Sequence, residues 1–435
     1  MEKGLRLSVC SGGHQLTRWS VLDDAVALDL GRLNHIRVSP DAKEAHIGPG
    51  ARSYEVVPAL SLGHASMTNS GGFWHVAQGG FLLGGGHSIT SRSTGIGVDN
   101  ILAMEVVLAD GRAVNVSAHE HPDLFWSMRG ACGLAFGIVT SYKMRLHPEC
   151  GGEGSCLAGV LKFPLADMAR VAKAFIQYVP DADWRLGLET GIDASGHVIV
   201  TGVFNGKAED GWEALKPLMT IPNTTLLGNS FGKTGNYWEA WSRLPTGLQQ
   251  HGTHSRGETV SAFFKESLPP SAWDRLVQGY QALGVGFNIG IYAMGGAWGA
   301  QAVDAMAYPH RNFRYNLDLS VQFTTESLVD DVHAWSQEAV DIVMPNCEPD
   351  CEVYCNYPRQ MDNYAKKYWG PNLPRLSLMK SGWDPHGVFT FAHSIPPAQN
   401  RTSGRGIYYI NAGGAAVPDG VDAVPLRGAA PHPIR

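Results

Sequence analysis

An α+β fold is predicted from three features of the 435-residue sequence. Residues 1–150 are dense in glycine and in short apolar alternations, the pattern of strands broken by tight turns. From residue 157 onward, longer stretches carry apolar residues at three- and four-residue steps, the period of helices with one buried face. Alternating segments lie between these stretches. An antiparallel sheet layered by helices is therefore expected, not a regular βα alternation.

Each element can be justified in order. "AVALDLGRL", "EAHIGPGA", "NILAMEVVLADGRAVNVS" and "FGIVTSYKMRL" read as strands, with "ADG" at 109–111 an Asp-Gly hairpin signal. "SYEVVPALSLG" reads as a short helix stopped by Gly63. "PLADMARVAKAFIQYV" and "PPSAWDRLVQGYQAL" carry the helical period. "RLGLETGID", "HVIVTGVF", "GFNIGIYAMGG" and "FRYNLDLSVQF" read as strands. Residues 355–397 are aromatic and Pro-rich, and the stretch after about 403 reads as a poorly anchored tail. No repeat is seen.

Composition excludes several classes. With 44% hydrophobic and 17% charged residues, the chain can bury a sizeable core. A formal net charge of -6 with no Lys/Arg cluster gives nucleic-acid binding no electrostatic support. The longest apolar runs are strand-like, far below the ~20 residues of a membrane span. "MEKGLRLSVCSGG" does not read as a signal peptide. Asn115, Asn223 and Asn400 head glycosylation tripeptides, which would be used in a secreted chain. Of seven cysteines, Cys150 with Cys156 and Cys347 with Cys351 are close enough to close small loops. Neither spacing suits a metal, so disulfides or plain thiols are expected, and the odd count leaves at least one free thiol.

Two glycine clusters carry the ligand signal: "VCSGGHQLTRWS" at 9–20 and "GGFWHVAQGGFLLGGGHSITSRSTGIGVDN" at 71–100. Glycines let the backbone approach a ligand closely, and successive N–H groups can cradle an anion. There is no Walker sequence and no G-x-G-x-x-G opening a helix. The clusters combine with "GVDN" at 97–100 and "DLFWSMRGACGLAFGIVTS" at 123–141. Together with "AYPHR" at 307–311 and "YCNYPRQMDNYAKKYWGPNLPRLSLMKSGWDPHGVFTFAHSIPP" near the C terminus, they resemble the berberine bridge enzyme-like FAD-linked oxidases. These belong to the vanillyl-alcohol-oxidase-like, PCMH-type flavoproteins. The resemblance runs over residues 5–397, with motifs in the family's order.

The resemblance implies a PCMH-type FAD-binding domain over 1–150 and a substrate domain over 151–354. A C-terminal segment, 355–397, would return to the FAD domain, with a tail over 398–435. It implies that the FAD pyrophosphate lies against Ser11, Gly12, Gly13, Gly79, Gly80, Gly84, Gly85 and Gly86. It places the covalent attachment to the flavin at His14, and cofactor-wrapping stretches at Asp99, Asn100, Phe136, Gly137 and Val139. Many relatives have a second link through a cysteine; here Phe73 stands at that place, so a single covalent link is expected. Cys10 replaces the family's arginine before S-G-G-H. Relatives carry a small α/β lobe ahead of this first strand, so the resemblance implies a FAD domain lacking its first lobe. An internal start codon or a natural short form would explain that, and the former fits the sequons and a secretory or extracellular full-length form.

In the family a base removes a proton from an alcohol or amine while hydride passes to the flavin N5, and O2 reoxidises the flavin. Tyr357, Tyr354 and Asp318 are the candidate acid–base residues, with Tyr357 leading and Asn356 as an orienting partner. Tyr315 is a further candidate, and Trp238 and Trp241 could line a substrate pocket, although their helical spacing also suits a core. His75 and His87 fall near the flavin without an assigned step. The expected protein is a monomeric FAD-dependent oxidase of a small organic alcohol, amine or secondary-metabolite intermediate, with no metal. A redox-silent relative catalysing isomerisation or cyclisation, or a non-functional shortened form, are the other readings.

Overall fold

The structure, a computed structural model, describes residues 6–398 apart from 194, 246–255, 284–285, 324 and 348–350. The expected tail and Asn400 fall outside the described residues. Arg6–Cys10 and Ala25–Asp29 form a parallel two-stranded pair. Val26 and Leu28 on the second strand are exposed.

A five-stranded antiparallel sheet follows, in the order Ile36–Val38, Glu44–Ile47, Ile138–Arg145, Ile101–Val107, Ala113–Ser117. The Asp-Gly hairpin forms as its chemistry dictates. Gly111 takes φ +84, and the Asp110 carboxylate accepts from the Arg112 N–H at 3.0 Å. The expected helix spans Ser53–His64, one residue beyond the predicted stop. Gly63 stays helical, and Ala65 adopts the left-handed cap, its N–H turning back to the Leu60 and Ser61 carbonyls. Gln78–Leu83 forms a short helix inside the second glycine cluster, too brief to show a period in sequence.

The second unit is an eight-stranded antiparallel sheet. Its main path runs Gly228–Asn229, Cys156–Phe163, Val198–Phe204, Leu186–Ile192, Gly286–Ala293, Tyr315–Phe323, Arg256–Phe264. The helices Met168–Tyr178, Ala208–Met219, Pro270–Leu283 and Val329–Val343 contribute Phe175, Leu215, Trp273 and Trp335 to one core with Leu317, Leu319 and Val321 of the sheet. Strand side chains alternate faces, so the even-numbered residues of Tyr315–Phe323 point away from that core. They point toward the first unit.

A second core joins the five-stranded sheet to the C-terminal segment. Val353, Tyr354, Tyr368, Trp369 and Leu376 pack with Ile47, Met104, Phe136 and Tyr142. Lys380 is buried and donates to the Ala135 and Phe389 carbonyls and to Asp384, each at 2.7 Å. A buried ammonium is tolerated only when its donors are satisfied in this way. Trp369 Nε1 donates to the Gly130 carbonyl at 3.1 Å. The C-terminal segment therefore straps the loop at 130–136 in place.

Candidate active site

A cavity of about 910 Å³ lies between the two units and the strap. That is near the upper end of pocket sizes for small ligands and cofactors. One wall is glycine backbone. Ser11, Gly12, Gly13 and His14 follow the first strand, and Gly79 and Gly80 open the short helix beside them. The two loops pack too closely for side chains. A Cβ on Gly12 would lie 2.7 Å from the Ala77 Cβ, and one on Gly79 would lie 2.8 Å from the Ser11 hydroxyl. Gly13 has φ +66, the left-handed region where glycine carries no steric cost.

Gly137 and Val139 also line the cavity; Gly84, Gly85, Gly86, Asp99, Asn100 and Phe136 do not. The structure corrects the phosphate-cradle expectation at four glycines, because their N–H groups are committed within the protein. Gly79 donates to the Pro49 carbonyl at 2.8 Å, Gly84 to Gly80, Gly85 to Leu82, and Gly86 to the Tyr354 hydroxyl at 3.0 Å. The triple glycine instead makes room for the strap. A Cβ on Gly84 would lie 2.1 Å from Asn356 Oδ1, and one on Gly85 2.7 Å from the Tyr308 ring.

The other three work from behind the wall. Asp99 pairs with Arg311 Nη2 at 2.7 Å, both side chains buried. Asn100 donates to Asn69 Oδ1, Thr94 O and Ile96 O and meets the His147 ring, tying loops together. Phe136 is core.

The opposite wall is the polar face of the eight-stranded sheet. Ser320 stands in register with Thr259 on one neighbour and Asn288 on the other, and all three line the cavity with Asp318 and Gln322. Asp318 is 3% exposed. It accepts from Ser320 Oγ at 2.6 Å and Asn288 Nδ2 at 3.3 Å. Burial pushes its carboxyl up to about 7, against the pull of those two hydrogen bonds. Tyr315, one residue out of phase, lies on the other face, stacked on Phe264 and donating to the Glu266 carbonyl.

The strap brings Tyr354, Asn356 and Tyr357 to the cavity. Tyr354 N–H donates to Ser261 Oγ at 3.3 Å, fixing the strap to the sheet. The Tyr354 oxygen accepts from Gly86 N and, at 2.9 Å, from Asn356 Nδ2, which also donates to the Phe81 carbonyl. Burial raises the Tyr354 phenol to about 12, and these donors hold it from rising further. Burial and the nearby Tyr292 and Asp318 raise Tyr357 well above the usual phenol range.

His87 also lines the cavity, its ring 4.5 Å from Tyr354, 4.9 Å from Tyr292 and stacked on Trp298. Burial lowers its imidazole to about 3, so it stays neutral, and Nε2 has no hydrogen-bond partner among the described residues. Its place directly after the triple glycine was the available sequence signal. His75 sits apart, against Arg52 and Tyr54. Trp241 stacks on Trp74 and on Trp238 in a separate small core, with Trp238 tilted against Trp74, and neither Trp238 nor Trp241 lines the cavity. The disulfides Cys150–Cys156 and Cys347–Cys351 form, and Cys10 is the free thiol. Sequence reasoning missed a third bridge, Cys132–Cys355, although both cysteines lie inside the family-like motifs.

The residues present fit a flavin dinucleotide. There is a cavity large enough, a backbone-lined end open to a close-approaching group, the His14 imidazole at the wall, and the buried Nε2 of His87 with no hydrogen-bond partner among the described residues. His14 and Phe73 face each other there with ring centres 5.5 Å apart.

Comparisons with known proteins agree. A family model described as FAD binding domain matches residues 1–117, and one described as Berberine and berberine like matches 353–396. The chain is 27% identical over 406 residues to an uncharacterised FAD-linked oxidoreductase, YvdP, of Bacillus subtilis, covering 92% of this chain and 88% of that protein. It is 25% identical over 425 residues to the xylooligosaccharide oxidase of Thermothelomyces thermophilus, covering 92% and 84%. The solved xylooligosaccharide oxidase of Myceliophthora thermophila C1, in complex with xylobiose, has the same fold, with a TM-score of 0.80 at 22% identity over 92% of this chain and 88% of that one. The chain thus carries an FAD-binding match at its N-terminal end and a berberine-like match at its C-terminal end, and over most of its length it is similar to FAD-linked oxidoreductases and shares the fold of a solved oligosaccharide oxidase.

Proposed function

We propose that the protein oxidises a small hydroxyl-bearing molecule, with Asp318 as the base that accepts the hydroxyl proton and O2 as the electron acceptor. Bound FAD supplies the hydride acceptor. The observation that carries this reading is a buried carboxyl near 7 on a polar sheet face, across one cavity from the glycine wall. A base is most effective when its pKa lies near the working pH. Tyr357, the leading residue from sequence, keeps its proton across that range and serves as Asp318's neighbour. Tyr354, with two donors on its oxygen, is left to offer its own proton to the substrate oxygen. Thr259, Asn288 and Ser320 position the rest of the substrate by hydrogen bonds, which selects for hydroxyl-rich or amide-rich partners. The oxidase names of relatives support O2 as acceptor.

The test is peroxide formation by purified protein across simple alcohols, aryl alcohols and reducing sugars. A flavin-loaded protein that is never bleached anaerobically by any hydroxyl compound, yet converts one without oxidation, would overturn this reading in favour of isomerisation or cyclisation.

His14 is proposed as the single covalent attachment point, supported by its place on the cavity wall facing Phe73, which cannot form a thioether. Wild-type protein precipitated with acid is then expected to keep its yellow colour in the pellet. His14→Ala should release all flavin to the supernatant. Flavin retained in the variant's pellet would place the bond elsewhere.

A further inference from the structure

The cavity extends beyond the residues given a part in the reaction. Asp318 and Gln322 lie on the same face of the strand Tyr315–Phe323 and both line the cavity, so its wall runs outward from the base by about 13 Å. Gln322 is in register with Gly257, where a Cβ would lie 3.0 Å from Leu16 Cδ1. The loop after His14 therefore rests on the sheet at this outer end, and Trp19, a few residues on, joins the cavity wall. The strap reaches the same wall, because Thr259 Oγ1 donates to the Pro358 carbonyl at 2.8 Å.

Aromatic side chains from three segments meet around His393. Trp19 meets its ring edge-on, with centres 4.5 Å apart. His393 is 2% exposed and stacks on Tyr364 at 4.2 Å, and its Nδ1 lies 3.0 Å from the Tyr368 hydroxyl. Trp19, Tyr368, Phe391 and His393 all line the cavity. Trp19 and Phe391 are only half-buried, so flat apolar surface stands bare inside it. His393 Nε2 has no hydrogen-bond partner among the described residues, and a polar atom buried in this way calls for one. Burial, with Arg359 close by, lowers the imidazole to about 4, so the ring is neutral. A Tyr368 hydrogen on Nδ1 leaves the ring proton on Nε2, a donor suited to a neutral oxygen.

We infer that Trp19, Phe391 and His393 form an aryl seat at the outer end of the cavity. It takes a flat, oxygen-bearing aromatic group of a substrate whose oxidised hydroxyl reaches Asp318. This rests on the oxidation reading above and narrows it to extended, aryl-terminated alcohols. Stacking and edge contacts hold the ring, and the His393 N–H meets its oxygen. With the flavin held at His14, the dinucleotide runs back along Ser11, Gly12 and Gly13, so the loop that carries Trp19 lies off its path. The hydroxyl and amide groups of Thr259, Asn288 and Ser320 lie between seat and base and face the linking part of the substrate.

The probes are naphthol, whose hydroxyl-bearing carbon has no hydrogen to transfer, and the alcohol pair naphthyl-hexanol and hexanol. Equilibrium dialysis of the flavin-loaded holoenzyme is expected to show saturable naphthol binding, weakened about tenfold or more in Trp19→Ala and kept in Trp19→Phe. In turnover, the KM for naphthyl-hexanol should lie about tenfold or more below that for hexanol, and Trp19→Ala should lose most of that gap. No saturable naphthol binding, equal binding by wild type and Trp19→Ala, or equal KM values for the two alcohols each overturn the inference. If Trp19→Ala fails to fold, wild-type binding and the wild-type KM ratio decide. Naphthol binding by a protein whose flavin no alcohol bleaches overturns the oxidation reading and leaves the aryl seat standing.

Discussion

Asp318→Asn is expected to lower kcat/KM for the oxidised alcohol roughly 10²–10⁴-fold while leaving flavin content unchanged. The amide keeps the shape of the site and the Asn288 and Ser320 neighbours but cannot accept a proton. The wild-type pH profile carries a second signature. The base is active when ionised, and burial holds it near 7, so kcat/KM should fall about tenfold per pH unit below that value and level off above it. Asp318→Asn should lose this acidic limb.

Stability should move the other way. The folded carboxyl lies above its ordinary value of 3.8, so the folded chain binds this proton more tightly than the unfolded chain. The favourable contribution is complete below the unfolded value and is lost as pH rises through about 7. Displacement on this scale is worth a few kcal/mol, at about 1.4 kcal/mol per pKa unit. Asp318→Asn should therefore be more stable than wild type at pH 8, with the gap closing toward pH 4. Denaturant midpoints at the two pH values check this. A variant that keeps activity, or shows no pH-dependent stability difference, removes Asp318 as the base.

Much of this site was legible in the sequence, for physical reasons that differ by residue. The glycine loops were visible because a backbone that approaches another backbone needs glycine, and Gly12 and Gly79 do so here. What the pattern could not reveal was which N–H groups remain for a ligand. Those of Gly79 and Gly84–86 are taken by partners 30 to 268 positions away or one turn back. Asp318 could be picked from "YNLDLSVQF" because a charge in an apolar strand needs a reason. Choosing it over Tyr315 required knowing which face met the helices, a tertiary fact that period two leaves open. The Trp238–Trp241 pair had helical spacing that suits a core or a pocket equally, and Trp74 settled it. The Cys132–Cys355 bridge was hidden by distance along the chain, since loop pairing at long range leaves no local spacing signal.

Asp99→Ala is expected to destabilise the fold by about 3–5 kcal/mol, the cost of leaving one partner of a buried ion pair uncompensated. Arg311 would remain with no exposed side-chain surface, Arg129 close by, and, among the described residues, the Trp298 carbonyl, the Met306 sulfur and the Tyr308 ring as partners of its guanidinium. Burial already lowers the Arg129 guanidinium to about 10, with Asp99 opposing and Arg311 reinforcing that shift, so the three charges form one group. Removing this anion leaves two cations in low-dielectric surroundings. Asp99 also accepts from the Ile96 N–H at 2.9 Å, so the turn that leads into Ile101–Val107 loosens as well. Arg311→Met added to Asp99→Ala should recover part of the loss, because the orphaned charge goes with it. Denaturant unfolding of both variants measures the difference. Flavin content per folded chain separates the two roles this aspartate has been given. Behind the wall, Asp99 should affect stability and leave flavin occupancy intact; a stable Asp99→Ala protein depleted of flavin would return it to the cofactor site.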